Sequence, residues 1–264
     1  GCLSPDSGSL SYGTTATYNS TNSRYIEAIK RVPAYPAAMP GAYNTETIVE
    51  RGFWMVSWFK REFGLAEQQM AASRGVEPET LFDDLLRQVP PGAMGLVLQP
   101  YWSPGIRIPG PEAKGAIIGF GDVHTRAHLY RAMIEGLVFA LREGKERLEK
   151  RSGHRIRTLK VSGGGSQSDE IMQITADIFG IAVERPHTSE TSGLGAAINA
   201  AVGVGLYPDY ETALAHMTHP GDRFIPDADN VAVYNRLYTE VYRKIYGKLS
   251  ILYKSIRSIT EYPP

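Results

Sequence analysis

Hydrophobic and polar positions follow two different periods along this chain. Residues 9–18 (SLSYGTTATY) are rich in Ser, Thr and Tyr and are interrupted by Gly13, which predicts strand, turn, strand. Residues 24–31 and 41–49 read as further strands. The period then changes. Across residues 52–63 the apolar positions Phe53, Val56, Trp58, Phe59 and Phe63 suit a buried helix. Residues 78–88 (PETLFDDLLRQ) predict another, with Pro78 near its start, acids in its first turns and Leu81, Leu85 and Leu86 on one face. Pro90 and Pro91 end it. Short apolar runs at 95–98 and 116–120 predict strands on either side of a Pro- and Gly-rich loop, 100–115. A long helix follows from Thr125 to about Lys150. After it come a strand at 159–162, a helix at 169–179, a strand at 182–184, a small-residue helix at 191–204 and a last helix from about Asn230 to Ile259. Strands first, then helix and strand in alternation, predict an α/β domain. Its later strands are expected in one mixed sheet with helices on both faces.

Composition narrows the partners. The 264 residues are 42% apolar, enough for a sizeable core. The 28 basic and 28 acidic residues cancel. That balance gives no electrostatic reason to expect nucleic acid or an anionic membrane, and leaves any bound phosphate to local geometry. Cys2 is the only cysteine, which excludes an intramolecular disulfide and a cysteine-built zinc site and fits a reducing, cytoplasmic setting. No apolar run approaches the ~20 residues of a membrane helix. Residues 1–9 lack the order of a signal peptide and a starting Met, so the chain reads like the middle of a longer protein.

Three glycine-bearing segments are candidate chemistry. A strand runs into Gly163-Gly164-Gly165, with a helix a few residues later. Such a corner lets backbone approach a flat ligand, and the following helix start favours phosphate or a polar edge. The dinucleotide spacing and a Walker-type GKS or GKT are both absent. Taken alone, the triple glycine is more simply a tight turn. Tyr12-Gly13-Thr14-Thr15 at a hairpin tip can offer amides and hydroxyls to phosphate oxygens, or be an ordinary Thr-rich hairpin. Gly193 and Gly195 sit inside a predicted helix, where close helix packing is the simpler reading.

The ordered set of motifs resembles one family. Residues 115–120 (GAIIGF), seven residues, then 128–135 (HLYRAMIE) are similar to the C-terminal signature of the FGGY carbohydrate kinases. Tyr12-Gly13-Thr14 resembles that family's second phosphate-binding hairpin. Pro100-Tyr101-Trp102-Ser103 with Pro109 resembles the loop before its signature. Residues 162–168 with 172–180 resemble its adenosine-binding segment, and 190–197 the stretch that follows. Phe224-Ile225-Pro226 and the tyrosines at 234, 238, 242 and 246 resemble its C-terminal helix. The likeness covers nearly the whole chain except residues 67–89, a variable stretch.

The resemblance implies a ribonuclease H-like (actin-like ATPase) domain with a mixed central sheet flanked by helices. It makes residues 1–264 the ATP-binding C-terminal domain of a kinase that moves the ATP γ-phosphoryl group to a sugar or polyol hydroxyl. ATP and Mg2+ are the implied cofactors, and a homodimer is compatible with it. Gly13, Thr14 and Thr15 would meet the β- and γ-phosphates, and Gly52 would bring backbone near them. Gly163, Gly164, Gly165 and Ser168 would border adenine and ribose. The sugar contacts, a magnesium-site Asp and the Asp general base are implied in an N-terminal domain absent from this chain. Asp6, too near the hairpin, is assigned to a loop. A non-catalytic nucleotide-binding or oligomerisation module of the same fold is the alternative. His124 and His128, and His216 and His219, have helical spacing but no obvious third ligand, and read as surface or core-edge residues. The tyrosine stripe reads as packing, and the basic residues around it as a solvated face.

Overall fold

The computed structural model of the chain describes residues 1–103, 105, 109–219 and 221–262. Its sheet grows from a hairpin. β1 (Ser7–Tyr12) and β2 (Ala16–Asn22) run antiparallel, with Tyr12 opposite Ala16, so Gly13, Thr14 and Thr15 form a three-residue tip. β4 (Tyr43–Val49) adds antiparallel to β2, and the short β3 (Tyr35–Pro36) to β4. On its other side β1 pairs in parallel with β7 (Thr158–Ser162). β8 (Val183–Glu184) continues in parallel, and β9 (Arg223–Phe224) closes that edge antiparallel. The order is β3-β4-β2-β1-β7-β8-β9, a mixed sheet whose antiparallel half is the strand-first part of the sequence. β2 buries every second residue, as a strand with one face on the core must.

Helices cover this sheet. α4 (Arg126–Ser152) begins at a capping box, in which the Thr125 side chain meets the N3 backbone and the His128 ring meets the Thr125 amide. His128 is therefore a cap. α4 closes on β4 at Gly144, where a Cβ would stand 2.2 Å from Thr47 Oγ1. α5 (Asp169–Phe179) links β7 to β8 and packs on α4. α1 (Trp54–Phe63) and α3 (Pro78–Arg87) match their predicted positions to within two residues. The last helical stretch is α8 (Ala228–Arg236), a π-helical segment (Leu237–Tyr242) and α9 (Arg243–Thr260). Tyr234, Tyr238 and Tyr242 lie in the core, as the packing reading requires.

The structure corrects several expectations. Residues 24–31 form no strand. The Glu27 carboxylate accepts the Arg31 amide at 2.7 Å and the Val32 amide meets the Ile29 carbonyl, so local turns satisfy this backbone. The runs near 95 and 116 become β5 (Val97–Gln99) and β6 (Ala116–Ile118), which pair with each other and form a separate two-stranded sheet. α2 (Leu65–Arg74) and α7 (Tyr210–Met217) have no counterpart in the predicted elements. α2 buries only Glu67 and Ala71, so its apolar period is faint. α6 (Thr191–Gly203) pairs with α7, but a Cβ on Gly193 or Gly195 would touch nothing within 4 Å. Helix packing within the described chain therefore does not account for those two glycines.

Candidate functional site

A cavity of about 530 Å³ opens where the hairpin tip, the start of α1, α3 and the glycine turn converge. The sheet makes this meeting: β1 and β7 are parallel neighbours, so the C-terminal ends of both point the same way. Tyr12 and Ser162 then lead into Gly13 and Gly163 side by side.

The hairpin tip turns its carbonyls inward. Gly13 O accepts the Phe53 amide at 3.0 Å and Thr14 O accepts the Trp54 amide at 3.4 Å. The amides of Thr14 and Thr15 donate no hydrogen bond among the described residues. Free amides at an exposed tip, beside the N-terminal end of a helix, are suited to bind an anion. Gly52 makes this contact close. A Cβ there would lie 2.3 Å from the Ala16 nitrogen, so only glycine lets the chain entering α1 press against the hairpin. Gly13 and Thr14 line the cavity; Thr15 is exposed beside it and Gly52 is buried behind it.

The three contiguous glycines have different surroundings. Gly163 holds φ +91°, and a Cβ would stand 2.8 Å from the Tyr12 carbonyl oxygen. Gly165 would drive a Cβ to 2.4 Å from the Phe53 ring, which itself stacks on Tyr12 with centroids 4.4 Å apart. Gly164 has neither constraint: a Cβ would meet nothing within 4 Å. Gly164 and Gly165 line the cavity, whereas Gly163 supports the turn from behind. Ser168 also lines it, but its hydroxyl is occupied. It accepts the Ile171 amide at 3.1 Å as the N-cap of α5 and donates to Asp83 Oδ1 at 2.5 Å.

α3 supplies the wall that sequence reasoning missed, with Thr80 and Asp83 facing the cavity. Burial pushes the Asp83 carboxyl above its usual range, against the Ser168 hydrogen bond and the Arg87 charge. One signal was available: Asp83 is the sixth residue of α3, beyond the first turn where the helix dipole favours an acid. Tyr130 of α4 and Ile171 of α5 complete an apolar back wall. Asp6 lies at the opposite end of β1 from the hairpin, roughly 20 Å away by strand rise. Its carboxylate accepts the Ser4 hydroxyl, and its backbone carbonyl accepts the Arg157 amide. Among the described residues no three His, Cys, Asp or Glu side chains are grouped to hold a metal ion, and no helix is long and apolar enough to cross a membrane.

Known proteins share this fold. The chain is 30% identical over 256 residues to a xylulose kinase of Lactococcus lactis, covering 95% of this chain and 48% of that one. The crystal structure of a xylulose kinase from Rhodospirillum rubrum superposes with a TM-score of 0.80 at 26% identity, over 96% of this chain and 48% of that one. A Plasmodium falciparum glycerol kinase, whose structure was solved with ADP, superposes with a TM-score of 0.74 at 18% identity, over 90% of this chain and 46% of that one. The chain thus spans about half the length of the relatives it matches, and its fold is the ribonuclease H-like one of the actin-like ATPases. The C-terminal-domain model of one family matches residues 8–204, from the hairpin through the glycine turn to the end of α6, and by that match this chain belongs to the FGGY family of carbohydrate kinases.

Proposed function

We propose that this chain, as one domain spanning residues 1–264, is the nucleotide-binding half of an ATP-dependent carbohydrate kinase. The observation that carries the reading is the pairing of two open backbone turns on one cavity. The hairpin tip offers free amides, and Gly164 offers bare backbone. Gly13, Thr14 and Thr15 then hold the β- and γ-phosphates, with Gly52 fixing the hairpin against α1. Gly164 and Gly165 border the adenosine, with Gly163 and Ser168 shaping the turn around it. Phosphoryl transfer passes through a loose, charge-rich transition state, so fixed amides at the phosphates act by positioning and charge stabilisation. The sugar or polyol, and the base that takes the proton of its hydroxyl, are assigned to the sequence that the longer relatives carry in addition. So are the carboxylates for Mg2+. A cytoplasmic location accords with this chemistry.

Titration of the chain with ATP, followed by NMR, tests the reading. A cavity with one wall supplied elsewhere buries only part of its ligand, so dissociation constants of roughly 0.1–10 mM are expected. Thr14→Ala should weaken ATP more than adenosine, because its partners are phosphates. Gly164→Val should abolish the shifts around residues 163–168 while the fold persists. The reason is occupancy of the cavity and not backbone strain, since positive φ belongs to Gly163. Normal ATP binding by folded Gly164→Val returns the triple glycine to a plain turn.

A further inference from the structure

Phosphate binding leaves the α3 wall of the cavity unexplained. Glu77, Glu79 and Asp83 all border it. Glu79 pairs with Lys60 at 2.6 Å, and Glu77 is the exposed residue before the first turn of α3. Asp83 has no such role. Its Oδ1 accepts the Ser168 hydroxyl, while Oδ2 accepts no hydrogen bond among the described residues. A carboxylate oxygen that borders the cavity with no protein partner is open to a donor carried by a ligand. The Ser168 hydroxyl holds the carboxylate in place through Oδ1 and leaves Oδ2 unused.

The order of contacts along the turn says which donor arrives. Tyr12 meets the turn at Gly163 and Asp83 meets it at Ser168, with Gly164, Gly165, Ser166 and Gln167 between. A nucleotide whose phosphates rest on the hairpin amides, and whose furanose crosses the two bare glycines, carries its base toward Asp83. Resting on the nucleotide reading above, we propose that Asp83 is the base-reading residue of this cavity. Its Oδ2 accepts a hydrogen bond from the exocyclic 6-amino group of adenine, and Ser168 acts as the positioning residue. Guanine presents a carbonyl oxygen at the same place, so two acceptors would face each other there.

The test compares four nucleotides on the full chain: ATP, purine riboside triphosphate (which lacks only the 6-amino group), GTP and 2′-deoxy-ATP. The wild-type chain should bind ATP about ten-fold more tightly than purine riboside triphosphate, as expected for a hydrogen bond to a charged group. Asp83→Ala should bring ATP down to the level of purine riboside triphosphate and leave the latter unchanged. Asp83→Asn keeps the shape of the side chain and can both donate and accept. It should lose the preference of ATP over GTP, and it serves if the alanine variant does not fold. Equal wild-type affinity for ATP and purine riboside triphosphate overturns the proposal. So does an equal loss for all four nucleotides in Asp83→Ala, which would mark a structural role. A discrimination that follows the 2′-hydroxyl overturns it in favour of ribose. A wild-type chain that binds no ATP at all removes the nucleotide reading itself, a result distinct from binding without preference for the amine.

Discussion

At the residue scale, the three glycines that read as one signal in the sequence have three separate reasons to be glycine. Gly163 needs its conformation and its closeness to the Tyr12 backbone, Gly165 needs room against Phe53, and Gly164 needs neither. Stability should therefore separate them. Gly163→Ala forces an L residue into a region that only glycine adopts readily, at a cost of about 1–3 kcal/mol. Gly165→Ala overpacks a stacked aromatic pair and should cost a similar amount, about 1–3 kcal/mol. Gly164→Ala should stay within about 0.5 kcal/mol of wild type. Urea unfolding of the three variants measures this, and a destabilised Gly164→Ala would show that the open space beside it is not open. None of these distinctions is written in GGG, because each depends on what stands opposite: Tyr12 opposite the first, Phe53 opposite the third and the cavity opposite the second.

At the element scale, α3 must be held for its Thr80 and Asp83 to form a wall. Its C-terminal end is fixed by Arg131 of α4, whose guanidinium donates to the Leu86 and Val89 carbonyls at 2.8 Å each. The first lies in the last turn of α3, where carbonyls run short of intrahelical donors, and the second in the chain just past its cap. The same guanidinium meets Glu135 at 2.7 Å and Tyr234 at 2.9 Å, and Glu135 Oε1 also accepts the Gly92 amide and the Tyr234 hydroxyl. Both charged residues are buried. Arg131→Ala leaves Glu135 without its counter-charge and the Val89 carbonyl without its donor, so a loss of about 3–5 kcal/mol is expected in denaturant unfolding. A loss near zero would mean that α3 is anchored by its apolar face alone. The π-helical segment has an equally local cause. Tyrosines spaced by four drift one way around an α-helix of 3.6 residues per turn and the other way around the wider i→i+5 turn at 237–242, so the segment offsets the drift that the flanking α-helical turns accumulate. The rings of Tyr238 and Tyr242 are nearly parallel there, 16° apart with centroids at 6.1 Å.

At the scale of the whole molecule, residues near 13, 53, 83, 130 and 165 meet at one cavity because the parallel pairing of β1 with β7 sets two distant turns side by side. A ligand that bridges those turns should stabilise the chain as a unit. At ten times its dissociation constant ATP should contribute about 1.4 kcal/mol and raise the melting temperature by about 3–5 °C, with adenosine giving less. An unchanged melting temperature at that ratio would mean that the nucleotide does not bridge them. The sequence by itself determined much of this. Alternation with Gly13 at its centre gave the hairpin, the long apolar periods gave α1, α3, α4 and α5, and the ordered motifs gave the family. These are local properties, fixed by period, capping and turn chemistry within a few residues. Only the tertiary structure decided that residues 24–31 satisfy their backbone in turns, that β5 and β6 form a sheet of their own, and that the hydroxyl of Ser168 is already spent on α5 and Asp83. It alone put Asp83 at the cavity. Which residue stands beside a given backbone oxygen or glycine depends on contacts between segments far apart in the chain, and a hydrophobic period records only which side of a helix is buried, not what lies against it.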